Sequence, residues 1–411
     1  MSETTTSLVR VAAVADLPPG AALAVKVNGH AVALFNADGV IRAIDNRCPH
    51  MGYPLVEAPV RAGVLRCPWH HWRFELSTGG CLTTGGDDVG VFTVEVRDDQ
   101  IYLSPEPTGS DPESRRRRAR RFLHQGMTEV NTFLMAKSLC SLRGLEDDSI
   151  IIRQAVEHGL RFRSEGFGPG LVILTCLLNF AHRLNEEDQL LALVHGITHV
   201  ARDSANRSPR RELPPLPEHG ELGSDELADL FRFLCEDREA TGAERVLLTV
   251  LARRGPEAAA ELLLAAATDH YFLSTGHVID FINKAYELLD HLGGELTEAV
   301  LGSLVRPIAT GFRHEEAADW ADMVEPLGAA FADLPNRPGC DPAWTDPGMV
   351  GILLDGEPDE IIAALREAIA AGAGLRALSA LLCQAAMLRV ARFHLQNEND
   401  WDDVLHLVSY C

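Results

Sequence analysis

Positive charge is scarce in this chain, and lysine is nearly missing. Lys and Arg total 37 against 59 Asp and Glu, a formal net charge of −22 over 411 residues. Only Lys26, Lys137 and Lys284 are lysines. A nucleic-acid partner needs a basic face to meet phosphates, so the balance excludes it as the main partner. Long apolar runs are missing too. No stretch of about 18 residues is free of charge and of Gly/Pro breaks, so no membrane span is expected. The N-terminus lacks the cationic start and apolar core of a signal peptide, and a cytoplasmic location is the expectation. The nine cysteines show no disulfide-scaffold spacing, which suits a reducing compartment with free or metal-bound thiols. No G-x-G-x-x-G follows a strand-like run, so the chain carries no dinucleotide fingerprint.

What is present is enough apolar residue, 46%, for real cores, on a length that suits two or three domains. Residues 1–105 read as short strands: LAVKVNGHAVALFN, VIRAID, VFTVEVRDD and QIYLS are β-rich and divided by Gly, Asn and Asp. Residues 106–121 read as a Pro/Ser linker ending in the arginine run SRRRRARR, exposed or strapped onto the acidic body. From residue 122 to 411 the period becomes helical, as in LVILTCLLNFAHRL, DQLLALVHGITHVARD and GHVIDFINKAYELLDHL. The expected fold is multidomain, an N-terminal all-β domain followed by a large all-α catalytic domain. Two Pro/Gly-rich stretches, 204–224 and 333–349, read as lids or walls of a site.

Two segments stand out, NRCPHMGYPL at 46–55 and LRCPWHHWRFEL at 65–76. Each offers one thiol and one imidazole, as Cys48-x-His50 and Cys67-x-x-His70. Two thiolates on one iron and two imidazoles on the other make a [2Fe–2S] centre of raised potential. The imidazoles also couple proton to electron, because their second nitrogen can titrate. The donor set alone would also serve a Cys₂His₂ zinc site, although zinc modules usually pair C-x₂₋₄-C with H-x₃₋₅-H.

Over this segment the chain resembles the Rieske ferredoxin family, including Pro54-Leu55 after the first loop, Trp72-x-Phe74 after the second, and Gly79-Gly80-Cys81 downstream. The resemblance implies a cluster on Cys48, His50, Cys67 and His70. It also implies an electron donor outside the chain, a separate NAD(P)H-dependent reductase or ferredoxin, and a homo-oligomer. High-potential members carry an extra Cys in each loop; Tyr53 and Trp69 stand there instead, which implies the ferredoxin and oxygenase type. That type has Gly after the second His, where this chain has His71, expected at the surface.

The ring-hydroxylating members hold a catalytic iron with a D-x-x-H-x₃₋₅-H stretch, which is absent here. The helical zone offers other donors. His195 and His199 lie one turn apart on one helix face. His270, His277, Lys284, His394 and His406 complete the candidate metal set, with Lys284 as a carbamate. His-rich helices with an H-x₃-H pair also resemble questin-oxidase-like non-haem-iron oxygenases. That resemblance implies a non-haem iron and a hydrophobic, aromatic small-molecule substrate. The alternatives are a ferredoxin-like carrier or redox sensor with a helical docking scaffold, and a helical domain holding haem or two metals.

Overall fold

The computed structural model describes residues 8–83, 88–108, 112–217, 222–317, 321–332, 334, 341, 344–397, 399 and 401–410. The chain divides into two compact units, Met1–Ile151 and Ile152–Cys411.

Among the described residues the first unit opens with ten strands: β1 Val9–Ala13, β2 Ala22–Val27, β3 His30–Ala37, β4 Val40–Asp45, β5 Val60–Arg61, β6 Val64–Arg66, β7 Arg73–Glu75, β8 Val91–Phe92, β9 Val94–Arg97 and β10 Gln100–Leu103. They form three antiparallel sheets, in the orders β1-β10-β9, β2-β3-β4-β8 and β5-β6-β7. The hairpins turn on residue pairs with positive φ: Asn28-Gly29, Asp38-Gly39, Ala62-Gly63 and Asp98-Asp99. Two left-handed residues match the twist of the flanking strands, and Asn, Asp and Gly tolerate that conformation best. Strand β3 shows why the layers stack. Its alternation sends Val32 and Leu34 into one core with Leu17, Phe92, Ile101 and Leu103. Ala33 and Phe35 go into the other, with Ile44, Leu55, Leu65 and Phe74. Cys48 and Cys67 lie in that second core.

Helix α1 spans Pro112–Thr128 and α2 spans Thr132–Leu142. The arginine run read as the end of a linker is therefore helical, and the compact β unit extends through α1 and α2. Helical spacing buries Ala119, Leu123 and Met127, while Arg116 and Arg120 pair with the nearly buried Glu146. The run of charges masks this weak apolar period in the sequence.

The second unit is helical: α3 Asp148–Arg161 crosses into it, followed by α4 Pro169–Ala181, α5 Glu186–Ser204, α6 Ser224–Glu236, α7 Ala240–Arg254, α8 Pro256–Thr268, α9 His277–His291, α10 Thr297–Ser303, α11 Val305–Thr310, α12 Ala321–Ala332, α13 Met349–Asp355, α14 Pro358–Ala370, α15 Leu375–Arg392 and α16 Trp401–Tyr410. Asn185 caps α5, accepting from the amides of Glu187 and Asp188 at 3.0 Å. Close packing of α3, α4 and α5 relies on small residues: a Cβ on Gly159 would meet Val200, and one on Gly196 would meet Leu174. The Pro-rich stretch after α5 is strapped down. Arg210 pairs with the buried Glu244 on α7, and the Leu216 amide donates to Thr249 Oγ1 at 2.9 Å. Among the described residues no helix is long and apolar enough to cross a membrane.

Candidate functional site

The two cysteine–histidine loops are built alike. In the first, the Cys48 amide donates to the Tyr53 carbonyl at 2.8 Å and the Gly52 amide to the Cys48 carbonyl at 2.7 Å. In the second, the Cys67 amide donates to Trp72 at 2.8 Å and the His71 amide to Cys67 at 3.0 Å. Both loops need a left-handed residue four positions after the cysteine. Gly52 takes it with φ 77°, His71 with φ 63°. His71 thus departs from the usual glycine without departing from its backbone shape.

The loops bring their donors together at one end of the second core. Cys48 and Cys67 are buried, and their thiols lie within hydrogen-bond reach of each other. Burial pushes the Cys48 thiol up; the His50 and Met51 backbone groups oppose this, and the Cys67 thiol adds to it. The His50 and His70 rings meet edge to face, with centroids 4.5 Å apart and planes at 77°. His50 stacks on Trp72 at 4.5 Å and 11°, which holds its ring. His50 Nδ1 is buried and has no hydrogen-bond partner. An orphaned ring nitrogen is costly unless something else binds it. Two neighbouring buried thiols and two imidazoles in ring contact, supplied by twin loops, fit the donor set of a [2Fe–2S] cluster with two sulfur and two nitrogen ligands. Tyr53 and Trp69, where a second cysteine pair would stand, instead have rings 6.0 Å apart.

Beyond the loop, the Glu75 carboxylate accepts from the amide and hydroxyl of both Ser77 and Thr78. Burial works to raise it, but these bonds hold it down at about 2. Gly79, with φ 74°, closes this turn against Val89, whose carbonyl a Cβ would meet at 2.1 Å. The sequence alone showed Gly79 and Trp72 as family features; the support from Glu75 carried no signal there.

In the helical unit the candidate donors do not converge as a set. Among the described residues no group of three His, Cys, Asp or Glu is placed to hold one metal. His270 lies between carboxylates, with Nδ1 2.6 Å from Glu315 and Nε2 3.3 Å from Glu236. Lys284 pairs with Glu287, Nζ lying 2.9 Å from each oxygen. His394 is exposed. Two pairs do form. His195 and His199 meet at 4.6 Å and 74° on α5. His277, heading α9, meets His406 of α16 at 4.5 Å and 78°. His406 Nδ1 is buried without a hydrogen-bond partner.

The turn before His277 is strained. Phe272, Ser274 and Thr275 have φ of 52°, 48° and 55°, and Gly276 follows at 84°. Such runs persist only where the surroundings enforce them, and they cluster at functional sites. Phe272 and Thr275 line an apolar cavity of about 900 Å³, with Phe331, Leu353, Val404 and Leu407 among its other walls. The described residues of the 204–224 stretch, expected to wall a site, are not among this lining; residues 218–221 and much of 333–349 lie outside the described residues.

The Rieske [2Fe-2S] domain model matches residues 7–92. The ferredoxin component of the naphthalene 1,2-dioxygenase/salicylate 5-hydroxylase systems of Ralstonia sp. is 33% identical over 92 residues, covering 22% of this chain and 88% of that protein. Human apoptosis-inducing factor 3 is 28% identical over 168 residues, covering 39% of this chain and 25% of its own. The chain thus spans about a quarter of that relative's length. The ferredoxin of carbazole 1,9a-dioxygenase from Nocardioides aromaticivorans IC177 has a solved structure with 30% identity and a TM-score of 0.23, covering 24% of this chain and 99% of its own.

Proposed function

The chain belongs, through residues 7–92, to the Rieske [2Fe-2S] family, and from that premise we propose that it is an oxygenase-type oxidoreductase whose cluster supplies electrons to a non-haem iron held by His277 and His406. The cluster, held by Cys48, Cys67, His50 and His70, takes up and releases one electron at a time. Electrons come from a separate reductase or ferredoxin, in keeping with relatives named as ferredoxin components.

One observation carries the second site. His277 and His406 repeat the ring geometry of His50 and His70, 4.5 Å at 78° against 4.5 Å at 77°, and each pair contains one buried Nδ1 without a hydrogen-bond partner. Two imidazoles leave the other coordination positions of a divalent iron open. The cavity whose walls include Thr275 and Val404, each two residues from one histidine of the pair, is mostly apolar and of the size that takes a small hydrophobic molecule. Its residues position the substrate and keep out water, and Thr275 is a polar group on the wall two residues from His277.

The test is iron and acid-labile sulfide analysis of the anaerobically purified full chain. We expect about three irons to two sulfides, with one iron lost in His277→Ala/His406→Ala and the cluster spectrum kept. An iron-to-sulfide ratio near one in both proteins refutes the second site. The lack of a three-donor group among the described residues favours a second reading, in which the helical unit is the docking body of an electron carrier or redox sensor. That equal ratio is its expected result.

A further inference from the structure

The apolar cavity of about 900 Å³ has one arginine in its wall, Arg389, and no Asp, Glu or Lys among the described residues that line it. Helical spacing puts Arg389 there. Leu382, Ala385, Ala386 and Arg389 recur at three- and four-residue steps along α15 and share one face. Ala385 and Ala386 are buried and small, which leaves volume open beside them. Arg389 is exposed, so it stands where the cavity meets water. Its Nη2 donates to the Leu354 carbonyl in the last turn of α13. That bond orients the guanidinium and uses one of its five N–H groups. Arg392, three residues on, faces Asp355 at 3.7 Å; Arg389 forms no ion pair among the described residues. His314, the other basic side chain of the wall, packs against the rings of Phe272 and Phe312 at 5.5 and 4.9 Å. Elsewhere the wall is flat and aromatic: the Tyr271 and Phe331 rings lie 6.2 Å apart with planes at 9°.

Resting on the reading of this cavity as the place of the substrate, we propose that it takes a hydrophobic organic acid, with the apolar body in the cavity and the carboxylate on Arg389. An arginine keeps its charge at every working pH, and its planar fork matches a carboxylate. One fork suits one carboxylate; a phosphate carries more charge than a single arginine offsets. The chain as a whole carries a net charge of −22, which repels acids at long range. A preference for an acid over its uncharged analogue therefore needs a local cation. Desolvating a carboxylate without a partner is costly, and Arg389 supplies that partner at the edge of the apolar wall. The acid also sets the orientation of the bound molecule, because the permanent positive charge lies at one point of the described wall. Its exposed position keeps the gain modest, because water and salt screen the pair.

The experiment is titration calorimetry of the full chain at low salt with naphthoate and its uncharged analogue naphthamide. The wild type should bind naphthoate more tightly. Arg389→Gln should weaken naphthoate about tenfold, the loss of roughly 1.4 kcal/mol, and leave naphthamide unchanged. Arg389→Lys keeps the charge without the fork and should fall between. Leu382→Gln/Leu407→Gln, at two partly exposed wall positions, should weaken both ligands alike. Equal affinity of acid and amide in the wild type, naphthoate binding indifferent to Arg389→Gln, or no saturable naphthoate binding overturns the proposal. His277→Ala/His406→Ala should keep the preference for the acid. Its loss there, with Arg389→Gln unaffected, would put the carboxylate on a metal and also overturn the assignment to Arg389. An iron-to-sulfide ratio near one with the acid preference intact removes the second iron and leaves the acid site standing, so the two failures are told apart.

Discussion

Replacing His71 by glycine should stabilise the cluster-bearing unit. His71 is held at φ 63°, where its counterpart Gly52 sits at 77°, and each donates its amide to the carbonyl of the cysteine four residues before it. A side chain with a Cβ pays about 1–2 kcal/mol for that left-handed conformation. Glycine returns roughly 0.5–1 kcal/mol of the gain as extra freedom in the unfolded chain, leaving about 0.5–1 kcal/mol. The His71 ring is exposed and makes no hydrogen bond among the described residues, so little else is lost. With a urea slope near 2 kcal/mol/M the midpoint should rise by about 0.3 M. Visible circular dichroism of the cluster is the assay, because it reports on this unit alone. Gly52→Ala is the mirror test. Nothing lies within 4 Å of a Cβ there, so only the backbone resists, and with the same unfolded-chain offset the midpoint should fall by about 0.3 M. A lower midpoint for His71→Gly, or a higher one for Gly52→Ala, would show that the two loops do not share this requirement.

Gly79→Ala drives a Cβ to 2.1 Å from the Val89 carbonyl, and iron and sulfide per chain should drop well below those of the wild type. Glu75 is held near 2 in the folded chain against 4.5 for a free carboxyl, so its contribution is complete above pH 4.5 and is lost as pH falls toward 2. The urea midpoints of wild type and Glu75→Gln should therefore differ most above pH 5 and converge toward pH 2; a gap independent of pH would remove Glu75 as its cause. Arg210→Ala leaves Glu244 buried without its cation, at a cost of about 3 kcal/mol in thermal unfolding at pH 8. Burial already pushes the Glu244 carboxyl up, so losing Arg210 raises it further and the deficit should shrink at pH 5.5. An unchanged deficit would place the loss elsewhere.

The amino-acid order by itself marked out the candidate cluster donors and the two-part architecture, for a physical reason. Cys48, His50, Cys67 and His70 sit in local loops where spacing and turn residues define the donors, and strand and helix periods differ along the chain. Turn pairs such as Asn28-Gly29 announce their own hairpins. Only the tertiary structure decided which distant side chains meet. His277 and His406 come from α9 and α16, far apart in sequence, and no local pattern encodes that meeting. The same holds for His270, a plausible ligand by residue type, which the fold places between Glu236 and Glu315. It holds also for the arginine run, where the turn of α1 sends Arg116 and Arg120 to Glu146. Local chemistry is written in neighbouring residues; convergence is written in packing, which depends on the whole chain at once.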